Sequence, residues 1–419
     1  MRGKWFAIAL AGLACGLLVA PDLAPASISR SRLRHGLTNQ MKSLGGGGGA
    51  WVSDIDAPGD NTLFSWASRT QRVLASNSKL FTTAATLDRF GADGRLETTV
   101  YPRPKGAVEG RTLDGNLVLV GAGDPALASH GFASKHSLPL TPLSNLARQV
   151  RKAGIRRVTG DVRADDSIFD RHRGVPTTGV DESGELSPLS GLSYDSGFDH
   201  GHYASNPELV AAHALKERLQ AIGVRVKGDI RRADLHAKAL DEAPLAEVDS
   251  PQIQQLIAAT NKPSNNFFAE MLLKRLVARP SSPGTTRHGA KRVEKFANRI
   301  GTQVRMEDGS GLSVRNHASP RQVGKLLAAM NHQPDHRAYR QSLPLAGHEG
   351  TLAHRMNGSA ADGRCRAKTG TLSGVSALSG YCHAGHGLVV FSILFNSVDV
   401  TTAQKAEDKM ASLIAQYRP

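Results

Sequence analysis

The chain has 419 residues, which is long enough for two or three domains with a sizeable core. Its composition, 40% hydrophobic and 21% charged, excludes an intrinsically disordered protein. The formal net charge of +15 at pH 7 predicts attraction to anionic polymers, of which nucleic acid is the most common.

Residues 1–26 have the pattern of a signal peptide. Arg2 and Lys4 precede an apolar run over 5–20, and Ala24-Pro25-Ala26 offers a small-residue cleavage site. The run is shorter than the roughly 20 residues that span a bilayer, although retention as an anchor stays open. We therefore expect an exported protein, in the periplasm or the extracytoplasmic cell envelope. Export argues against nucleic acid and favours anionic cell-wall polymers as partners.

The first part of the mature chain reads as helix, hairpin and helix. An amphipathic helix is predicted over 30–44, followed by a flexible glycine link over 45–49. Two strands within 50–67 form a hairpin. A buried helix then begins near Ser76, because apolar residues recur at helical spacing after it.

The pattern changes at residue 96, where short strand-like segments surround a helix, and this predicts an inserted domain over 96–185. Residues 186–200 are expected to return to the main domain. A helix followed by a strand predicts a second small insert over 201–248. The main domain is then discontinuous, formed by 27–95 and 249–419.

The C-terminal part is predicted to contain several helices, then three strands and a last helix. The strands are expected at 364–369, 376–383 and 388–396, and the helix over 402–417. Consecutive strands with short connections pair as an antiparallel meander. The fold class is therefore mixed α/β, with an antiparallel sheet flanked by helices and two smaller inserts.

Ser76 and Lys79 begin the buried helix and lie three residues apart, so both side chains can point into one cavity. A serine becomes a nucleophile when a base takes its proton, and a lysine of suppressed charge can be that base. Alone the motif is weak, because a chain of this length contains about one Ser-x-x-Lys by chance. An ordinary exposed lysine after a helix cap explains it equally well.

Two further motifs follow. Ser264-Asn265-Asn266 precedes a helix, where a hydroxyl and a carboxamide can face a cleft, but where a simple helix cap is the common explanation. Lys368-Thr369-Gly370-Thr371 lies on the first strand of the meander. Gly370 in mid-strand suggests close approach of a ligand to the backbone, against the simpler reading of a turn glycine beside an edge-strand charge.

Together the three motifs form the ordered set of penicillin-binding proteins and serine β-lactamases, with Asn265 where the second motif has aspartate. The sequence resembles the D-alanyl-D-alanine carboxypeptidases and endopeptidases of the class C, low-molecular-mass penicillin-binding proteins. The resemblance covers nearly all of the mature chain, and the long interval between Ser76 and Ser264 favours it over a compact β-lactamase. It includes these stretches: Gly123-Asp124-Pro125, 165–169, 308–313 and 368–375.

The resemblance implies a β-lactamase/transpeptidase-like catalytic domain in which four side chains carry the chemistry. Ser76 would attack the carbonyl between two D-alanines, and Lys79 would take its proton. This requires a depressed lysine pKa, from burial and the nearby positive charge of Lys368. Ser264 would pass a proton to the departing amine, with Lys368 holding its hydroxyl.

The resemblance also implies the substrate-binding residues. Asn266 would bond the backbone amide of the substrate. Thr369, Gly370 and Thr371 would bind the terminal carboxylate, which explains why a carboxypeptidase needs a free C-terminus. The backbone N–H groups of Ser76 and Thr371 would form an oxyanion hole.

The implied activity is that of a serine-type D-alanyl-D-alanine carboxypeptidase, and of a D,D-endopeptidase as a possible second activity. Its substrates would be peptidoglycan stem peptides ending in D-Ala-D-Ala, and β-lactams would inhibit it covalently. A β-lactamase or esterase on the same fold, or a catalytically silent wall-binding protein, are the alternatives. No cofactor and no metal are expected, since two groups of neighbouring side chains lack a metal-binding frame: Asp195, Asp199, His200 and His202, and His383 and His386.

Two cysteines remain after processing, in a compartment that permits disulfides. If the first two strands of the meander form a hairpin with its turn between Ser373 and Gly374, Cys365 and Cys382 face each other. We predict a cross-strand disulfide that braces the strand carrying Lys368, with two free thiols as the alternative.

Overall fold

The computed structural model describes residues 27–57, 59, 61–175, 184–233, 235, 243–279, 281–385 and 387–418. The expected signal segment and His386 lie outside the described residues. Within these ranges, no helix has the length and apolar character needed to cross a membrane.

The chain begins with a capped helix that covers one face of the main sheet. The Ser29 hydroxyl caps this helix by accepting from the N–H of Arg32, and Leu33, Leu37 and Met41 are buried on one stripe. The elements of this part are α1 (Arg30–Lys42), β1 (Gly48–Asp54), β2 (Thr62–Trp66), β3 (Arg72–Val73), a 3₁₀ turn (Ala75–Asn77) and α2 (Ser78–Phe90).

The glycine link predicted over 45–49 is partly wrong, because Gly48 and Gly49 belong to β1. Gly48 pairs with Phe395, and a Cβ on Gly48 would lie 2.4 Å from the Phe395 ring. The absence of a side chain is therefore a packing requirement of the strand, not a sign of flexibility.

The middle of the chain forms small sheets with helices against them. Its elements are β4 (Glu97–Arg103), β5 (Val108–Glu109), β6 (Thr112–Leu113), β7 (Asn116–Val120), β8 (Leu127–Ala128), α3 (His130–Lys135), β9 (Thr141–Pro142), α4 (Ser144–Lys152), β10 (Arg157–Val158), β11 (Val162–Asp165), β12 (Phe198–Asp199), β13 (His202–Tyr203), α5 (Pro207–Ala221), β14 (Arg225–Val226), β15 (Ile230–Arg232) and β16 (Ala246–Asp249).

The segments predicted as two inserts, 96–185 and 201–248, share sheets and a core. The strand orders are β15-β11-β7-β4-β16 and β14-β10-β6-β5, so β14, β15 and β16 each pair with a strand of the earlier segment. Leu117, Val162 and Leu215 lie in one hydrophobic cluster. The described residues thus form one inserted unit, because strands of two to seven residues are stable only in a sheet of several strands, and both segments supply them here.

Residues 186–200 do not simply return to the main domain. Leu186 and Leu189 pack in the core of the main domain, whereas Leu192 and Tyr194 pack in the cluster of the inserted unit. This segment therefore connects the two cores.

The last part of the chain completes the main domain. Its elements are α6 (Ile253–Asn261), α7 (Asn266–Arg275), α8 (Thr286–Arg299), β17 (His317–Ala318), α9 (Pro320–Asn331), α10 (His336–Gln341), β18 (Cys365–Leu372), β19 (Val375–Ala384), β20 (Gly387–Asn396) and α11 (Val400–Gln416). The main sheet is antiparallel in the order β18-β19-β20-β1-β2. Helices α1 and α11 cover one face, and α2 and α6–α10 pack toward the other. The predicted mixed α/β class is confirmed.

The cross-strand disulfide is confirmed. Cys365 on β18 and Cys382 on β19 are register partners, and their sulfurs are bonded. The hairpin turn lies at Ser373-Gly374, where Gly374 has φ +67°, a left-handed conformation that suits glycine. The disulfide joins the strand of Lys368 to the next strand of the sheet.

Candidate active site

Ser76 lies in the 3₁₀ turn that precedes α2. Ala75 in this turn has φ +45°, a conformation that costs a non-glycine residue free energy and that its surroundings must impose. Just before the turn, the Asn396 side chain clamps Val73: Oδ1 accepts from the Val73 N–H at 2.9 Å, and Nδ2 donates to its carbonyl at 3.3 Å. The segment that leads into the turn of Ser76 is thus fixed by a residue near the far end of the chain.

Lys79 is completely buried one helical turn beyond Ser76. Its Nζ donates to Ser76 Oγ at 2.9 Å, to Asn266 Oδ1 at 2.7 Å and to the carbonyl of Ser310 at 2.6 Å. Burial lowers the Lys79 pKa from 10.5 to about 7, although nearby carboxylates oppose this shift. A substantial fraction of the amine is therefore neutral at pH 7 and able to accept the serine proton.

The three residues of the second motif, Ser264-Asn265-Asn266, make different contacts. The Asn265 side chain caps α7 by accepting from the N–H of Phe268 at 3.0 Å, so the simple helix-cap role falls to Asn265. Asn266 bridges two segments, since its Nδ2 also donates to the carbonyl of Glu185 at 2.8 Å. Ser264 has φ +62° and accepts from Lys368 Nζ at 2.8 Å.

Lys368 on β18 is buried, and its pKa is well below the ordinary value because of burial and of the positive charge of Lys79. Its Nζ contacts both Ser264 Oγ and the carbonyl of Thr369. The two lysines thus each hold one serine hydroxyl of the site.

The space where a side chain of residue 370 would begin is occupied by other protein atoms. A Cβ there would lie 2.9 Å from the carbonyl oxygen of Leu74 and 3.0 Å from Asn77 Nδ2. Asn77 Nδ2 also donates to the carbonyl of Lys368 at 3.2 Å. The atoms that approach Gly370 in the structure belong to the turn that contains Ser76, which lies against β18. The predicted approach of a ligand stays a prediction.

The two threonines of this motif differ in exposure. Thr369 is nearly buried, and its hydroxyl donates to Thr351 Oγ1 at 2.8 Å. Thr371 is exposed on β18. Of these two side chains, Thr371 has the greater access to a bound ligand.

A cavity of about 400 Å³ adjoins Ser264 and Asn266. One side belongs to the main domain, and the other is formed by the inserted unit through Phe132, His136 and Tyr203. Its size suits a peptide side chain, so the inserted unit supplies a wall of the candidate site.

Sequence reasoning assigned no role to three groups that the structure brings to the site. These are Glu270, Asp308 and Ser310, all buried. Glu270 follows Asn266 by four residues on α7, and that spacing on one helix face was the available signal. The other two belong to the stretch 308–313, which carried the family resemblance without a function.

Three of the side chains considered for a metal, Asp195, Asp199 and His200, have hydrogen-bond or ion-pair partners in the structure. The Asp195 carboxylate accepts from the backbone N–H and the hydroxyl of Ser129. His200 pairs with Asp199 at the surface. Across the part of the chain that the structure describes, there is no group of three or more ligating side chains placed to hold a metal ion.

Comparison with known proteins gives a consistent result. The model of the D-Ala-D-Ala carboxypeptidase 3 (S13) family matches residues 37–198 and 195–417. The chain is similar to a D-alanyl-D-alanine carboxypeptidase of Actinomadura sp. (strain R39), with 30% identity over 95% of this chain and 87% of the relative. It is also similar to carboxypeptidase DacB of Mycolicibacterium smegmatis, with 30% identity over 87% of this chain and 79% of that one.

Among solved structures, the fold is similar to penicillin binding protein 4 (dacB) from Haemophilus influenzae. The TM-score is 0.73 at 20% identity, over 89% of this chain and 97% of that one. The same relative has also been solved in complex with a β-lactam, with a TM-score of 0.70 at 19% identity over 89% of this chain and 97% of that one.

Proposed function

Since the chain belongs to the D-Ala-D-Ala carboxypeptidase 3 (S13) family, we propose that it removes the terminal D-alanine of peptidoglycan stem peptides through an acyl-enzyme on Ser76. The observation that carries the assignment of Ser76 is its contact with a completely buried lysine. Lys79 Nζ lies 2.9 Å from Ser76 Oγ, and its pKa is about 7. This pairing of nucleophile and base is what acyl transfer requires.

In the acylation step, Ser76 Oγ bonds to the carbonyl carbon between the two D-alanines while its proton passes to Lys79 Nζ. The backbone N–H groups of Ser76 and Thr371 stabilise the oxyanion. The C–N bond then breaks, and the nitrogen of the departing D-alanine takes a proton from Ser264. The proton that Lys79 took from Ser76 replaces the one lost by Ser264, so Lys79 is neutral again in the acyl-enzyme. The Lys368 contact to the Ser264 hydroxyl, 2.8 Å long, supports this role of Ser264.

In the deacylation step, water attacks the ester carbonyl and gives a proton to the neutral Lys79 amine. Lys79 returns this proton to Ser76 Oγ as the ester C–O bond breaks, which restores the Ser76 hydroxyl and the neutral amine. The step needs no group beyond those that serve acylation.

Substrate binding is proposed for four residues. Asn266 would hold the peptide backbone, and Thr369, Gly370 and Thr371 would hold the terminal carboxylate. The exposure of Thr371 supports direct contact, whereas the Thr369–Thr351 hydrogen bond favours an indirect role for the Thr369 hydroxyl. Cross-link endopeptidase activity is a second proposed activity of the same site.

Labelling with a fluorescent penicillin tests the proposal against its alternatives. We expect stable labelling of the wild type, no labelling of Ser76→Ala, and release of D-alanine from a stem pentapeptide. Rapid loss of the label without release of D-alanine would indicate a β-lactamase. Absence of any label on the folded wild type would indicate a wall-binding protein.

The proposed site of action is the extracytoplasmic envelope, where anionic wall polymers are the expected partners. A second cavity, of about 250 Å³, supports this partner, because Arg340, Arg364 and Arg366 line it together with His383. Arg366 is paired with Glu349. Burial and the charges of the three arginines lower the His383 pKa, which indicates a positive potential in this cavity.

Binding of inorganic polyphosphate to the full chain tests this partner. We expect the double variant Arg340→Ala/Arg364→Ala to bind several-fold more weakly than the wild type at low salt. Replacement of two surface arginines far from this cavity, Arg225 and Arg231, serves as the charge-matched control. Equal loss in both variants would mean that only net charge matters.

A further inference from the structure

The loop 308–313 lies directly behind the nucleophile and its base. The carbonyl of Ser310 accepts from Lys79 Nζ at 2.6 Å. Gly311, with φ +90°, packs so closely on the nucleophile turn that a Cβ would lie 1.9 Å from the carbonyl oxygen of Ala75. This loop therefore determines where both reacting groups stand.

Two fully buried carboxylates hold the loop in place. Asp308 stabilises the loop from within: its oxygens accept from the N–H groups of Gly311 and Ser313 and from the Asn316 side chain. Glu270 holds it from outside, since its Oε1 accepts from the N–H of Gly309 at 2.8 Å and of Ser310 at 2.6 Å.

Glu270 is four residues beyond Asn266 on α7, so one face of this helix reaches Lys79 along two routes. Asn266 Oδ1 accepts from Lys79 directly, at 2.7 Å. Glu270 acts through the peptide between Gly309 and Ser310 and the carbonyl that follows it. By accepting from both N–H groups, Glu270 fixes the position of the Ser310 carbonyl, and its charge acts on Lys79 through space.

The charges around the lysine come from four elements. Carboxylates of Asp308, Glu270 and Glu185 raise the Lys79 pKa against the larger effect of burial, and Lys368 faces it from β18. Glu270 in turn faces Asp308, and Lys274 one turn further along α7. Burial, followed by the charge of Asp308, raises the Glu270 pKa to about 7.

We infer that Glu270 is a positioning residue of the reaction, which fixes the Ser310 carbonyl against the Lys79 amine and supplies negative charge behind it. The inference rests on the proposed function, in which Lys79 is the base. A merely structural clamp would hold the loop without influencing the protonation of Lys79.

Glu270→Gln separates charge from geometry, because the glutamine carbonyl can still accept from both loop N–H groups. Without the charge, the Lys79 ammonium is less stable and its pKa falls. We expect the acid limb of the acylation rate, measured with fluorescent penicillin from pH 5 to 9, to shift down by up to about one pH unit. The difference from the wild type should arise at pH 7 and above, where Glu270 carries its charge.

Glu270→Asp makes the complementary change, because it keeps the charge but shortens the side chain. We expect an acid limb at the wild-type midpoint and a rate lower by about tenfold or more, since the loop is displaced. The matched control is Glu407→Gln, which neutralises another fully buried glutamate of the main domain and should leave the pH profile unchanged.

A Glu270→Gln profile that superimposes on the wild-type profile would overturn the inference, as would an unchanged rate in Glu270→Asp. The Asp variant decides the matter if the Gln variant does not fold. A wild type that takes no label would instead reject the proposed function, so the two failures are distinguishable.

Discussion

Two buried glutamates of the main domain have similar acidity and different surroundings. The pKa values of Glu270 and Glu407 are both raised to about 7, in each case mainly by burial. Glu407 on α11 accepts from Arg355 at 3.0 Å and from the Ser376 hydroxyl at 2.7 Å. Glu270 accepts from the backbone N–H groups of the loop that contacts Lys79.

The two glutamates differ in the cation that lies near each: Lys79 near Glu270 and Arg355 next to Glu407. An arginine stays charged and forms a paired, stabilising cluster, whereas a buried lysine can lose its proton and react. The same type of carboxylate therefore faces a permanent cation near α11 and, behind Ser76, a lysine that can lose its proton.

Replacing the cation in each cluster by methionine gives the largest contrast. Lys79→Met removes the base, and we expect acylation by fluorescent penicillin to fall about a thousandfold. Arg355→Met should acylate like the wild type but lose about 3 kcal/mol of unfolding free energy, because it leaves Glu407 buried and unpaired. Stopped-flow labelling and urea unfolding measure the two effects. Equal loss of acylation in Lys79→Met and Arg355→Met would contradict the proposed difference between the two clusters.

Adding one methyl group at Gly311 tests how closely the loop 308–313 packs against the turn that contains Ser76. Gly311→Ala places a Cβ against the Ala75 carbonyl at a left-handed φ, and we expect acylation to fall about a hundredfold. Gly91→Ala is the control, because it has φ +73° and open space at its Cβ. It should lose about 1 kcal/mol of stability and keep its acylation rate. Similar acylation rates in Gly311→Ala and Gly91→Ala would contradict close packing of the loop 308–313 against the turn that contains Ser76.

The pH dependence of the wild type follows from the Lys79 pKa. If the neutral Lys79 amine is the base, as we propose, acylation should be slow below pH 7 and should rise about tenfold from pH 6 to pH 8. Lys79 is also less protonated in the folded than in the unfolded chain between pH 7 and 10.5. Its unfavourable contribution to stability therefore declines across that window as pH rises. An acylation rate that is flat from pH 6 to 8 would exclude Lys79 as a base with this pKa.

The disulfide should have the smallest effect on acylation. It lies in the hydrophobic cluster on the α11 side of the sheet, three residues before Lys368 along β18. Removal in Cys365→Ala/Cys382→Ala should lower the free energy of unfolding by about 3 kcal/mol, from the chain entropy of its loop. Acylation at 25 °C should change less than about threefold. A larger loss would mean that the disulfide positions Lys368 and does not only stabilise the sheet.

Local patterns in the sequence predicted a large part of this molecule. The three motifs identified the family, and hairpin symmetry gave the Cys365–Cys382 pairing, because register follows from the turn alone. The pairing of β14 with β10 could not be predicted in this way. Each strand has two residues, and its partner in the sheet is distant in sequence, so no local pattern identifies the pair. Glu270 was missed for the same reason: its partners, Gly309 and Ser310, are about forty residues away.

The clamp of Val73 by Asn396 has a consequence for biogenesis. If the chain is exported in an extended form, as we propose, Val73 and Ser76 emerge early, and Asn396 emerges 323 positions after Val73. A translocation intermediate that lacks β18 to β20 contains Ser76 and Lys79 but neither Lys368 nor the residue that secures the turn. On the proposed mechanism, such an intermediate would not be acylated, and penicillin labelling of living cells would count only molecules that include β18 to β20.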